Sequence, residues 1–156
     1  AENASLNQSN ISIERVALAD STGSTQMQLS PGFDLDDVGS AGHTLLTEYY
    51  DEESRLISVE KTRGDEFVAT EDVPSPTVLK IDTEGTEMDV LEGLDSTLAG
   101  SDCRLVYCEL HEDRLHSQGD SPSDIHNLLK SHGFSIKERS VEGYQKFICA
   151  KKIDNK

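Results

Sequence analysis

Apolar residues change their spacing several times along the chain, and each change marks an element. In "ISIERVALAD", Ile11, Ile13, Val16 and Leu18 alternate and then crowd. That predicts a strand with one face, then both faces, buried. The preceding "AENASLNQSN" is polar with Ala and Leu at intervals, like the last turns of a helix. "STGS" turns the chain into "TQMQL", a short alternating strand. Residues 31–55 are polar and rich in Gly and Asp, a length that predicts a functional or mobile loop. "RLISVEK" reads as a strand and "RGDEFVAT" as one or two helical turns.

After Pro74 and Pro76 the pattern becomes regular. "TVLKID" is a short apolar strand, and Met88, Leu91, Leu94 and Leu98 follow at helical spacing. "CRLVYCEL" is a second apolar strand. In "SPSDIHNLLKSHG", Ser121 is the N-cap, Pro122 the first helical residue and Asp124 the capping-box partner, with Gly133 as the stop. "FSIKERSV" and "YQKFICAKK", split by "EG", form a terminal hairpin. Strands alternating with helices imply a mostly parallel α/β sheet, and the hairpin adds an antiparallel strand. The expected arrangement has "ISIERVAL", "TVLKID" and "CRLVYCEL" as parallel neighbours or near-neighbours, with "YQKFICAKK" antiparallel to them.

Charge narrows the partners. The 156 residues hold 14 Lys plus Arg against 30 Asp plus Glu, a formal charge of -16. A field of that sign repels phosphate backbones, and no basic patch interrupts it, so nucleic acid is not an expected partner. The acids are spread between periodic apolar positions, as on a folded protein with a carboxylate-coated surface. Such surfaces suit a salt-rich cytoplasm, hence a halophilic source is expected. Cys103, Cys108 and Cys149 are odd in number and lack a CxxC pair, which fits buried thiols in a reducing compartment. No stretch reaches the apolar length of a membrane span and no signal pattern opens the chain; a cytoplasmic location follows as an expectation.

The chemistry gathers in "LKIDTEGTEMDVLEG", residues 79–93, where a strand becomes a helix. A structural role exists for its acids: Asp82 or Thr83 caps the helix, and Glu84 and Glu87 occupy its first turn. Ligands of open α/β sheets bind outside the carboxyl ends of the strands. Asp82 and Glu84 therefore sit at a ligand-facing edge, with Glu109 and His111 beside them at the end of the next strand.

The same residues resemble the signature of FkbM-type S-adenosylmethionine-dependent methyltransferases: a strand, Lys-x-Asp-x-Glu-Gly-x-Glu, then a Val-Leu-x-Gly helix. Lys80, Asp82, Glu84, Gly85, Glu87, Val90, Leu91 and Gly93 agree in order. "ENASLN" with "VALAD" resembles the family's helix end and third strand, "TRGDEF" the segment before the signature, and "LVYCELH" the fifth strand.

The resemblance implies a Rossmann-like class I methyltransferase sheet, mostly parallel with a C-terminal antiparallel hairpin. It also implies that residues 1–156 form one partial domain, because the family's first strands and glycine loop would precede residue 1. The activity implied is S-adenosylmethionine-dependent O-methylation of a hydroxyl on a small molecule, sugar or lipid. Asp82, Glu84 and His111 are the expected catalytic residues, and which of them takes the proton is open. Ala17 and Leu18 would border the adenine, with Asp20 and Asp82 completing the cofactor residues and no metal.

Two other classes remain in view: a truncated or degenerate non-catalytic module, dimeric through an exposed sheet edge, and a magnesium-dependent enzyme using the carboxylate cluster. Other motifs carry less. "DDVGSAGHT" imitates a cofactor glycine loop but lacks a preceding apolar strand. "HEDRLH" sets His111 and His116 five apart, not the four of a zinc-protease helix. His126 and His132 are expected to be surface or packing residues.

Overall fold

The computed structural model describes residues 10–29, 42–46, 55–70, 73–141 and 145–153. Their strands form two sheets. In the first, β1 (Ala17–Ala19), β2 (Gly23–Leu29) and β3 (Arg55–Arg63) lie in the order β1-β3-β2. Strand β3 runs parallel to β1 and antiparallel to β2, then passes into helix α1 (Gly64–Thr70). In the second, β4 (Val78–Ile81), β5 (Leu105–Leu110), β6 (Phe134–Val141) and β7 (Gln145–Lys152) lie in the order β4-β5-β7-β6. Helices α2 (Glu87–Gly93) and α3 (Asp95–Ala99) connect the parallel pair β4 and β5, while α4 (Glu112–Ser117) and α5 (Pro122–Ser131) connect β5 to β6.

The α/β class is as expected, but a mostly parallel sheet is not what the described strands make. The β1/β3 and β4/β5 pairings are parallel, and β2/β3, β5/β7 and β6/β7 are antiparallel. The hairpin accounts for much of this, because β7 enters between β5 and β6 and contributes two antiparallel ladders. The strand expected from residue 11 onward is also shorter. Only Ala17–Ala19 finds a partner, at Lys61–Arg63, and it lies in a different sheet from β4. Ile11 and Ile13 are 60% and 58% exposed; alternation without a partner ladder does not make a strand.

The core lies on one face of the second sheet. Alternate residues of β5, Val106, Cys108 and Leu110, point inward with Ile81, Ile148 and Ala150, and meet Val90, Leu91, Leu94 and Leu98 from α2 and α3. Each fully buried Leu or Ile contributes roughly 1.5–3 kcal/mol. Cys103 and Cys108 are buried and Cys149 half-buried, all as free thiols, and burial pushes the Cys108 thiol far above its ordinary value, with Glu87 and Asp82 adding to the effect.

The helix read through Leu98 is broken at Leu94. Gly93 explains how α2 can lie so close to β1: a Cβ there would collide with the Ala19 carbonyl oxygen. The second segment, α3, is capped from outside, since Asp65 accepts from Ser96 N (2.7 Å), Thr97 N (2.9 Å) and Thr97 Oγ1 (2.7 Å). Burial alone would raise the Asp65 carboxyl, but the bonds from Thr97 and Ser96 outweigh it and hold it below its usual range. Helix α5 begins as its sequence requires, with Ser121 as N-cap, bonded to Asp124 Oδ2 at 2.6 Å, and Pro122 following it. Among the described residues no helix is long and apolar enough to cross a membrane.

Candidate active site

Strands β4 and β5 are parallel and in register at Ile81 and Cys108, so their carboxyl ends emerge side by side. Asp82 follows β4 and His111 follows β5. Between Asp82 and α2 the backbone makes a tight reversal. Glu84 has φ 57° and Gly85 φ 112°; the left-handed conformation costs a non-glycine residue roughly 1–2 kcal/mol.

Several contacts hold the turn in place. Thr44 Oγ1 and Arg114 Nη1 donate to the Glu84 carbonyl oxygen at 2.9 and 3.1 Å, and the same Arg114 nitrogen donates to Glu84 Oε2 at 2.5 Å. A Cβ on Gly85 would lie 2.6 Å from both Arg114 Cβ and Leu46 Cδ1. Only glycine fits this conformation and this space.

Helix α2 starts later than the capping expectation. Its N-cap is Thr86, without a side-chain cap bond, and neither Asp82 nor Thr83 caps it. Glu84 lies outside the helix because the turn ends only at Thr86. Glu87 is in the first turn as expected, yet it points inward and is 0% exposed. Its Oε1 accepts from Gly85 N at 2.9 Å and lies 2.8 Å from His111 Nδ1. On the other side of the ring, His111 Nε2 is 3.3 Å from Glu84 Oε2. A continuous chain results: Glu87, His111, Glu84, Arg114. The hydrogen bond to Glu87 is the main cause of a raised His111 pKa; burial opposes it, and the charges of Glu87, Glu84 and Glu109 reinforce it. Glu87 Oε2 and Thr83 Oγ1 are buried without a hydrogen-bond partner among the described residues.

The structure thus brings Glu84 and His111 into contact and leaves Asp82 at their margin, its side chain 38% exposed and paired with Lys80 Nζ at 2.6 Å. Asp82, Glu84 and His111 each offer a ligand atom within 4.8 Å of the others. A divalent ion there would meet the Arg114 guanidinium on the same Glu84 oxygen, a repulsive juxtaposition.

Ala17, Leu18 and Asp20 lie elsewhere, on β1 and its turn against α2. Leu18 packs on the core. Asp20 Oδ1 accepts from Ser21 Oγ at 2.7 Å and lies 3.8 Å from Lys61 Nζ, and the Asp20 carbonyl accepts from Arg63 Nη1 at 2.5 Å. Among the described residues no hydrogen bond or ion pair joins Asp20 to Asp82 or Glu84. Asp89 on α2 feels Asp20 instead: burial, then the charges of Asp20, Asp120 and Glu92, push its carboxyl up to about 6.

Two half-buried histidines outside the site face carboxylates. His126 pairs with Glu138 at 2.8 Å, His132 with Asp95 at 3.0 Å, and His116 is exposed. Of the "DDVGSAGHT" stretch, residues 36–41 lie outside the described residues. Thr44 and the nearby Leu46 brace the Glu84 turn.

Sequence reading missed three contributors to the site: Arg114, Thr44 and the inward turn of Glu87. Arg114 was findable, since it stands three residues after His111, one helical turn along α4. Beside His111 opens a cavity of about 620 Å³, walled in part by Glu84, Glu109, Arg114 and Lys146.

A methyltransferase FkbM domain model matches residues 1–136, and the chain belongs to that family. Hexuronic acid methyltransferase AglP of Haloferax volcanii is 27% identical over 139 residues, 88% of this chain and 50% of its own length. AMB antimetabolite synthetase AmbE of Pseudomonas aeruginosa is 35% identical over 75 residues, 46% of this chain and 4% of its own length. The chain therefore spans about half the length of the first relative and a small part of the second. No solved structure matches it.

Proposed function

We propose that residues 1–156 are part of one S-adenosylmethionine-dependent methyltransferase domain that methylates a hydroxyl oxygen, with His111 as the general base. The observation that carries this is the position of His111 between a buried and a half-buried carboxylate, at the adjoining ends of two parallel strands in an FkbM-family chain. When bound, S-adenosylmethionine supplies an electrophilic methyl group. Asp82 would hold its cationic side, and Ala17, Leu18 and Asp20 would border its adenosine. Glu84 is tied by Arg114, so its role is to orient the imidazole and complement charge rather than to accept a proton.

Glu87 holds the Nδ1 side of His111; Nε2, which lies 3.3 Å from Glu84 Oε2, takes the acceptor's proton as the oxygen attacks, and the two carboxylates then hold the imidazolium that forms. Alignment of the acceptor supplies the remaining catalysis. Magnesium has no part in this scheme, since Arg114 already neutralises Glu84. The uronic acid named for the relative makes a sugar hydroxyl the first acceptor to try. Transfer of labelled methyl from S-adenosylmethionine to saccharides by the protein in its full natural length tests the proposal. Transfer abolished by His111→Ala supports it; transfer that proceeds unchanged in that variant, or no transfer to any hydroxyl acceptor, rejects it.

A further inference from the structure

We propose that the cavity beside His111 is the acceptor site and that it takes a polyhydroxylated, carbohydrate-class molecule; its catalytic meaning rests on the methyl-transfer scheme, while its binding does not. At about 620 Å³ it is the size of a small-molecule site. It opens where β5 ends and β7 begins, and Glu84 and His111 form part of its wall. The acceptor oxygen and the imidazole would therefore share one space.

The lining selects the ligand class. Among the described residues Leu110 is its one apolar side chain, and it is itself buried in the core. A hydrocarbon seated there would desolvate charged groups and return no hydrogen bonds, which is strongly unfavourable. A simple anion would face the carboxylates of Glu84, Glu109, Glu112 and Asp113 against two cations. Those cations are already engaged, Arg114 with Glu84 at 2.5 Å and Lys146 with Glu112 at 2.6 Å.

Hydroxyl groups suit both sets, since each donates to a carboxylate and accepts from an ammonium or guanidinium. Glu109 gives this a focus. It is half-buried in the wall, and its carboxylate makes no hydrogen bond or ion pair with any described residue. An acceptor-only group in that position calls for a donor, and a ring hydroxyl provides one.

Amide NMR titration of the 156-residue chain tests this, with methyl glucoside, methyl glucuronide and glucosamine set against 1-octanol and inorganic phosphate. At least one saccharide should saturably shift the amides of Glu109 to Arg114 and of Gln145 and Lys146, with octanol and phosphate leaving them in place. Glu109→Gln should weaken that binding about tenfold, the loss of one charge-assisted hydrogen bond. Lys146→Ala, at an exposed position where folding is not at risk, should weaken it severalfold. Saturation by octanol or phosphate, or no saccharide shift at these amides, overturns the assignment. If a saccharide binds here but the full-length protein never methylates it, the methyl-transfer scheme fails and the site stands. If a saccharide is methylated without shifting these amides, the site fails and the scheme stands.

Discussion

His111 Nδ1 lies 2.8 Å from Oε1 of Glu87, a carboxylate with no exposed surface. A buried carboxylate is stabilised only by strong partners. Here the imidazole and the Gly85 amide supply them, and in return the ring is fixed with Nε2 facing Glu84 and the cavity.

Glu87→Gln keeps the shape and removes the charge. Because Glu87 is the main cause of the raised His111 pKa, the variant should shift the rising limb of the pH–rate profile downward, since a less basic imidazole loses its proton at lower pH. Direct NMR titration of His111 should show the same downward movement. An unmoved titration would mean that the pair does not set the protonation of the ring.

The Glu84–Gly85 turn should be intolerant of side chains. Gly85→Ala meets a positive φ and two 2.6 Å collisions, and should lower unfolding stability by about 2–4 kcal/mol in calorimetry. Gly119→Ala is the comparison, since its φ is +89° but nothing lies within 4 Å; it should cost about 1 kcal/mol.

Much of this was legible in the sequence, for physical reasons that vary by element. The α5 boundaries were readable because Ser121, Pro122 and Asp124 act locally through the backbone. The β5 strand was readable because Val106, Cys108 and Leu110 are buried in the core, and β4 because Ile81 joins them there. That Asp82, Glu84 and His111 come together was legible through the ordered motif and the rule that strand ends meet. The extent of β1 was not, because whether Ile11 and Ile13 pair depends on a distant strand. Nor was the Glu84 turn, whose left-handed backbone is imposed by Arg114 and Thr44, residues 30 and 40 positions away.

Asp89 should make stability fall with rising pH across a narrow window. Its folded-state pKa of about 6 lies above the ordinary 3.8. The folded protein therefore holds a proton there that the unfolded chain has released, and stability is lost as pH rises from about 4 to 6. Above pH 6 the cost of the buried charge is fully present. Asp89→Asn should stabilise by about 1 kcal/mol at pH 7, after allowing for solvent screening, and the gain should vanish below pH 4. A pH-independent gain would remove the titration account.

The charge of -16 predicts salt-dependent stability. Salt shortens repulsion to about 8 Å at physiological ionic strength and about 3 Å at 1 M, so the melting temperature should climb as KCl approaches molar concentration. A flat or falling midpoint would count against a halophilic origin.

The central claim is that His111 takes the proton of the acceptor hydroxyl. Its most direct measurement is single-turnover methyl transfer by the full-length protein with S-adenosylmethionine saturating, comparing wild type with His111→Gln at a series of pH values. The rate of the variant should fall by about 10²–10⁴ and lose the rising limb of its pH profile, with cofactor affinity changed less than severalfold. A variant that retains the wild-type rate and the same pH dependence would contradict the account and move the proton acceptor to Asp82 or Glu84.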